Sequence, residues 1–247
     1  MRKLSPTKAI SHALGSVWTF RPVAARLAIA WLPVLLLCGL AEVYFGPADP
    51  MAEELTPAAL VQLASALVSV VAVCSIAVNW HRFILRDEVG HGLRLDGNVM
   101  RYTGNTILIM LAVLFPSLLF LFVVPAVPAA ATLALPALAA IGGAVTRLSI
   151  KLPAVALGNR AYSFRDAWKV SEGNFWPCLG VFLMSWAITL GGVLVLILVG
   201  SGLDQFSSSF AELFVTVAAI LLQLFYAVFN ASIFTSLYGY FVEKREF

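Results

Sequence analysis

Residues 106–146, TILIMLAVLFPSLLFLFVVPAVPAAATLALPALAAIGGAVT, decide the fold of this chain because they contain no Asp, Glu, Lys or Arg. As one α-helix this stretch would measure about 61 Å, twice the roughly 30 Å hydrocarbon thickness of a bilayer. It must therefore turn back, and VVPAVPAA around Pro125 and Pro128 is where the backbone can do so. The stretch predicts two membrane-spanning helices, at approximately residues 106–125 and 129–150.

Apolar stretches on either side predict four further spans, at approximately residues 23–45, 57–82, 176–200 and 210–242. The acidic segment GPADPMAEELTP connects the first two of these spans, and SGLDQFSSS connects the last two. With 61% hydrophobic and only 12% charged residues, the chain lacks the polar side chains that a soluble domain needs. We therefore expect an all-α membrane protein with six transmembrane helices in three hairpins, forming a single integral membrane domain over residues 1–247.

All sixteen Lys and Arg residues lie on one side of this six-span arrangement. They form four clusters, within residues 2–26, 82–101, 147–169 and 244–245, and the three connections on the opposite side carry none. Cytoplasmic loops of membrane proteins hold an excess of Lys and Arg, so both termini are predicted to be cytoplasmic. The pattern is typical of a multi-pass protein of the cell inner (plasma) membrane.

The predicted cytoplasmic face carries 16 basic against 7 acidic residues. This excess suits anionic lipid headgroups, to which each nearby Lys or Arg contributes about 1 kcal/mol. The candidate headgroup contacts are Lys8, Arg101, Lys151, Arg165 and Lys169. Nucleic acid is a poor match, because the basic residues are spread over four membrane-adjacent segments. The expected partners are therefore membrane lipids, and a protein partner or a second copy of this chain stays open as an alternative.

A short amphipathic segment precedes each predicted hairpin, at approximately residues 5–15, 96–104 and 163–173. Each begins at a residue that can cap a helix and ends at a glycine. The capping residues are Ser5, Asp96 and Ser163 with Asp166, and the glycines are Gly15, Gly104 and Gly173. Helices this short are unstable alone in water, so we expect three interfacial helices on the cytoplasmic side. His12 lies on the polar face of the first segment and requires no special role.

Ionisable and amide side chains inside spans are energetically expensive, which makes them candidates for function. The candidate intramembrane polar cluster comprises Asn79, His81, Arg82, Arg147, Gln223, Tyr226 and Asn230. One hypothesis is a hydrated cavity that opens to the cytoplasm and binds a polar or anionic ligand. The other, which we favour, is that the cations snorkel to headgroups while the amides form packing contacts between helices. Arg147 is the residue that we most expect to pair across helices, because apolar residues follow it.

Motifs of common enzymes are missing from the sequence. It contains no Walker A loop, no HExxH, no CxxC and no pair of intramembrane aspartates. Three cysteines within apolar stretches provide neither a disulfide framework nor metal-ligand spacing; they are Cys38, Cys74 and Cys178. Asp87, Glu88 and His91 lack a fourth ligand and favour a solvated loop. We expect no catalytic, metal or cofactor-binding residue and no cofactor, and therefore a protein that is not an enzyme.

The segment RLSIKLPAVALGNRAYSFRDAWKVSEGNFW, residues 147–176, carries a resemblance to a known group of proteins. It has an Arg at the end of a span, a nearby Leu-Pro, an Ala-Trp on a short helix, and Gly-Asn-Phe-Trp at the start of the next span. In these features it resembles a poorly characterised bacterial six-span inner-membrane family, loosely similar to the membrane domain of some glycerophosphoryl diester phosphodiesterases. The resemblance implies a helical six-span protein. It does not extend to phosphodiesterase activity, because these residues include no soluble catalytic domain.

Two functional hypotheses follow from the sequence. The first is a non-enzymatic membrane protein that organises lipid or a protein partner through its basic cytoplasmic face. The alternative is a small transporter or channel with a polar cavity near Arg147, Asn79 and Asn230. A transporter predicts polar groups that converge on a pocket, with discontinuous helices near the midplane. Pro116 and Pro136 are the positions where the sequence allows a helix to break or kink.

Overall fold

The computed structural model describes residues 3–49, 54–90, 92–126 and 131–246. Within these residues the protein is all-helical, with no strand, as the sequence predicted. The helices are α1 Pro6–Thr19, α2 Arg21–Ile29, α3 Leu32–Phe45, α4 Pro57–Arg86, α5 Gly97–Ala126, α6 Ala131–Ser149, α7 Lys151–Ala156, α8 Phe164–Val170, α9 Phe175–Asp204 and α10 Ser208–Phe241.

Five stretches of helix are long and apolar enough to cross a membrane, and α2 with α3 forms a sixth if this bent pair is one span. The helices overlap all six predicted spans. The predicted turn around Pro128 falls on residues 127–130, which lie outside the described residues, between the end of α5 and the start of α6. The chain has the helices of a multi-pass membrane protein.

The first span is broken, which the sequence analysis did not anticipate. The axes of α2 and α3 differ by 48° across Ala30 and Trp31. Pro33 is the second residue of α3 and has no N–H to donate to the carbonyl of Ile29, the last residue of α2. By contrast, α5 and α6 continue past Pro116 and Pro136. A proline therefore accompanies a break in the first span but not in α5 or α6. The presence of a proline alone does not predict where a helix breaks.

Two of the three predicted short helices have different limits in the structure. Helix α1 continues past Gly15 to Thr19, and no separate helix covers residues 96–104, because α5 runs from Gly97 straight through Gly104. A helical glycine costs only about 1 kcal/mol relative to alanine, and apolar residues that bury the next turn can offset that cost. The third prediction is close: α8 has the expected capping box between Ser163 and Asp166.

Three hairpins pack around one another: α3 with α4, α5 with α6, and α9 with α10. Helices α4, α6 and α10 supply the contacts between hairpins, through the pairs α4–α5, α6–α9 and α4–α10. The short helices cross from one hairpin to another, since α1 packs against α9 and α10 while α8 packs against α6. This arrangement ties the three hairpins together at the end of the bundle that the short helices occupy.

The buried core is concentrated in the half of the bundle next to those short helices. Helix α4 is buried mostly from Ala72 to His81, and α10 mostly from Leu224 to Phe241. The opposite halves expose large apolar side chains, as expected of helices that face lipid. We call the packed end the basic end; it comprises residues 4–26, 79–90, 92–102, 147–176 and 229–246.

Candidate functional site at the basic end

Hydrogen bonds between distant segments hold the basic end together. The Ser232 hydroxyl donates to the Ala13 carbonyl at 2.9 Å, which joins α10 to α1. The Leu4 backbone N–H donates to the Asn174 side chain at 2.8 Å, which joins the N-terminal segment to the start of α9. These contacts bring the basic segments of the sequence to a single end of the bundle. Which side of a membrane this end faces remains a prediction.

The cations of the basic end fall into two groups. Those with carboxylate partners within 4 Å are Arg82 and Arg86 with Glu88, Arg94 with Asp96, and Arg245 with Glu243. The five predicted headgroup contacts make no ion pair with any described residue. Of these, Lys8, Arg165 and Lys169 are exposed, whereas Arg101 and Lys151 are half-buried. The unpaired cations are the ones able to bind an external anion without first breaking an internal pair.

Helix α8 is held to α6 and α7 by two cation–π contacts. The Arg147 guanidinium lies 3.7 Å from the Trp168 ring centroid, and the Lys151 ammonium lies 3.9 Å from that of Phe164. The two cations are four residues apart in sequence, and so are the two rings, but the rings follow in the reverse order. The two contacts therefore form an antiparallel ladder. Such contacts contribute about 0.5–2 kcal/mol each, and most where water is excluded. Lys151 is therefore a docking residue for α8 as well as a surface cation.

Arg147 pairs across helices, as the sequence analysis expected, but its partners are not acidic. It is 6% exposed. Its Nε donates to the Ser171 hydroxyl at 2.9 Å, and its Nη2 donates to the Trp168 carbonyl at 2.6 Å. A buried guanidinium bound only by neutral acceptors keeps its full positive charge.

Helix α8 owes its conformation to its own acidic residue. The Asp166 carboxylate accepts hydrogen bonds from the Ser163 N–H at 2.8 Å and the Ser163 hydroxyl at 2.7 Å. These bonds to Ser163 lower the pKa of Asp166 below its usual value. The carboxylate caps the helix and forms no ion pair with Arg165 or Lys169 among the described residues.

His81 lies in a closed hydrogen-bonded network, fully buried in α4. Thr235 donates its hydroxyl hydrogen to the Ala231 carbonyl at 2.7 Å, so its oxygen accepts from His81 Nδ1 at the same distance. His81 Nε2 then accepts from the Tyr102 hydroxyl at 3.1 Å. The neutral imidazole thus has both nitrogens satisfied and joins α4, α5 and α10 as a packing element.

The remaining members of the predicted polar cluster bind different partners in different places. Arg82 donates to Glu88 and to the Ala156 carbonyl, and the Tyr226 hydroxyl donates to the Ile188 carbonyl at 2.9 Å. The Asn230 amide donates to the carbonyl of Tyr226, and Gln223 is half-buried. The structure therefore does not gather the seven residues around one cavity.

The connection after α4 is a loop that exposes Asp87 and Val89, as predicted, and it packs inward at Gly90 and Arg94. Asn79 is buried beneath Gly90, where an added Cβ would overlap the Asn79 amide oxygen. The Arg94 backbone exchanges hydrogen bonds with Ser75, which also accepts from the Trp31 indole at 3.3 Å. The loop thereby packs against the break between α2 and α3.

Metal-ligating chemistry is not apparent in the described part of the chain. No group of three or more His, Cys, Asp or Glu side chains comes together there. His91 lies outside the described residues, and Glu88 is bound to Arg82 and Arg86. The three cysteines are free, and Cys74 and Cys178 are buried as the sequence suggested.

A small cavity of about 70 Å³ with polar side chains in its lining lies between α1 and α10. His12, Ser232 and Ser236 line it, together with Arg245 from the C-terminal segment. His12 Nδ1 lies 2.9 Å from the Ser236 hydroxyl, and burial lowers the pKa of His12 below its usual value. The sequence did not predict this contact of His12. The four-residue spacing of Ser232 and Ser236 was the available signal for this contact.

A larger apolar groove of about 530 Å³ lies between α5, α6 and α9. Gly142 and Val145 are on its α6 side, and Phe182 and Trp186 are on its α9 side. The hydroxyl of Ser117 donates to the Val113 carbonyl of its own helix, so it offers no donor to a ligand. The groove is lined mostly by apolar side chains of three helices that are candidate spans.

Comparison of the chain with protein-family models, with curated proteins and with solved structures gave no match.

Proposed function

We propose that this chain is a non-enzymatic multi-pass protein of the cell inner membrane that organises anionic lipid through its basic end. The observation that carries the proposal is a group of five cations that make no ion pair with a described residue: Lys8, Arg101, Lys151, Arg165 and Lys169. Near a negatively charged leaflet each such cation contributes about 1 kcal/mol to binding, provided that it lies within a Debye length of the surface.

Exposed aromatic side chains at the same end support this location. Trp18 is 71% exposed, Trp176 is 76% exposed and Trp168 is 42% exposed. Tryptophan is enriched at the boundary between lipid and water, where its ring and its N–H are both accommodated. The basic end then lies at the cytoplasmic headgroup layer, in agreement with the excess of Lys and Arg on that side.

Lipid is a better-supported partner than protein. The five cations lie on four different helices, α1, α5, α7 and α8, around the end of the bundle. This spread suits many separate headgroups. An acidic protein surface remains the second partner of the same chemistry. The likeness of residues 147–176 to a bacterial inner-membrane family is compatible with this function and stays a prediction.

The proposal is tested by measuring lipid enrichment around the purified full-length chain. The protein is reconstituted in mixed phosphatidylglycerol and phosphatidylcholine, recovered in nanodiscs, and the composition of the retained lipid is compared with the bulk. We expect enrichment of phosphatidylglycerol that falls as salt is raised. Replacing both Arg165 and Lys169 with Gln should weaken phosphatidylglycerol binding by about tenfold or more, from about 1 kcal/mol per cation.

The matched control replaces Arg245 and Glu243 together with Gln, which removes a paired cation without changing the net charge. This control should leave the enrichment unchanged. A wild-type protein that retains both lipids in bulk proportion would refute the proposed function.

One observation favours the alternative, a transporter or channel: the 48° break between α2 and α3. Discontinuous helices often line transport sites, because freed backbone groups can bind ions or substrates. Here, however, Trp31 in the break packs against Ser75 and the loop that follows α4. The polar side chains of the spans bind separate partners. Proteoliposomes that release a small anion or cation only when they contain the protein would favour the alternative.

A further inference from the structure

We infer that Arg147 binds the phosphate group of an anionic phospholipid, so that the basic end contains one specific headgroup site in addition to a diffuse cationic surface. This inference rests on the proposed function and adds to it a residue and a ligand chemistry. It starts from the donors of Arg147 that the protein itself leaves unused.

The guanidinium of Arg147 carries five N–H groups. One is used by Ser171 and one by the Trp168 carbonyl, while the ring of Trp168 covers one face of the group. Three N–H groups, including both on Nη1, have no partner among the described residues. Arg147 as a whole is only 6% exposed, yet its Nη1 keeps some accessible surface at which a ligand can reach it.

The charge of Arg147 also has no carboxylate in direct contact, and Glu172 acts on it only from a greater distance. No carboxylate of a described residue lies within 4 Å of it, whereas Arg82, Arg94 and Arg245 each have one. A buried unpaired charge is costly, and an anion that supplies both charge and hydrogen-bond acceptors relieves that cost. Arginine suits a phosphate because its planar N–H groups bind two oxygens at once.

The position of Arg147 indicates that the phosphate belongs to a lipid. Arg147 lies two residues before the end of α6, which is itself part of a candidate span. Its covering ring, Trp168, is 42% exposed and lies next in sequence to the exposed Lys169. A group at this depth is reached from the headgroup layer, and the neighbouring Lys151 adds a second cation one helical turn away.

The test compares Arg147→Gln with Arg165→Gln, which removes an exposed and unpaired cation of the same helix–helix unit. Binding of phosphatidylglycerol to each full-length variant in phosphatidylcholine nanodiscs is titrated by native mass spectrometry. Arg147→Gln should remove one tightly bound phosphatidylglycerol and weaken the remaining binding little, with the affinity of that one site falling by about tenfold or more. Arg165→Gln should retain the tight site.

A second measurement uses the wild-type protein, so it does not depend on the folding of Arg147→Gln. Phosphatidylglycerol with a photoreactive headgroup is crosslinked to the protein, and the labelled peptides are identified. Labels should concentrate within residues 145–152 and 164–172. Labels spread evenly over the basic end would overturn the specific site.

The outcomes separate the inference from the proposed function. If wild type does not prefer phosphatidylglycerol, the proposed function fails and the inference fails with it. If wild type prefers it but both variants lose the same binding, only the specific site is refuted. If sodium phosphate added to phosphatidylcholine nanodiscs displaces no lipid yet stabilises wild type and not Arg147→Gln, the ligand is a soluble anion and the lipid assignment is wrong.

Discussion

Replacing Trp168 with Leu is expected to detach α8 partly from the bundle. The substitution keeps an apolar side chain and the backbone carbonyl that binds Arg147, but it removes the ring beneath the guanidinium. Since Arg147 is 6% exposed and Trp168 is 42% exposed, the contact lies between the exposed and desolvated limits. A loss of about 1–2 kcal/mol follows. For a chain of this size that corresponds to a fall in Tm of about 2–8 °C.

The assay is thermal unfolding monitored with a thiol-reactive fluorophore, because Cys74 and Cys178 are buried in the folded protein. Trp176→Leu is the matched control: it removes a more exposed tryptophan at the same end, and the structure gives Trp176 no cation–π contact with a described residue. A double-mutant cycle with Arg147→Gln should give a coupling free energy of about 1 kcal/mol. Equal Tm values for the two tryptophan variants, or a coupling below about 0.3 kcal/mol, would refute the ladder.

Three further substitutions, one with a matched control, test the packing of the basic end by equilibrium or thermal unfolding. His81→Leu leaves two buried hydroxyl groups without their imidazole partner and should destabilise the protein by about 2–4 kcal/mol; a loss below about 0.5 kcal/mol would contradict the network. Gly90→Ala should cost about 1–3 kcal/mol through overlap with Asn79, whereas Gly104→Ala, which meets nothing within 4 Å, should be neutral or stabilising. His12 has a lowered pKa in the folded state, so its neutral form contributes stability above its unfolded pKa of 6.5 that is lost as pH falls below that value. His12→Gln should therefore lose less stability than wild type between pH 7.5 and pH 5.5, and parallel pH profiles would exclude a role for this residue.

The sequence predicted the helices well because apolar length is a local property. It predicted the break in the first span poorly because that depends on context: Pro33 disrupts a helix, whereas Pro116 and Pro136 are accommodated within α5 and α6. The glycine signals show the same limit. Gly173 adopts a positive φ of 74° after α8, but Gly104 continues α5. A glycine ends a helix only where the residues that follow it pack more favourably with the chain turned in another direction.

The candidate polar cluster illustrates what sequence patterns omit. Spacing along α4 and α10 correctly identified polar residues inside spans, but it could not tell whether they face a common space. His81 and Tyr226 satisfy their hydrogen bonds with partners from 21 to 154 residues away. Only tertiary packing brings these partners next to the polar residues. The resulting hydrogen bonds join one helix to another.

The distribution of charge is the strongest link between the sequence and the proposed function. Counting charges by segment does not show which cations have ion pairs in the fold. Local acids do neutralise some cations, as Asp96 does for Arg94 two residues away. Asp166 is close in sequence to Lys169 but binds Ser163 instead, because capping α8 uses its carboxylate oxygen. Arg165 and Lys169 therefore interact with Asp166 at a distance, without a direct ion pair to it. Cations placed in this way have no direct ion pair in the fold, and we propose lipid phosphate as the anion that they bind.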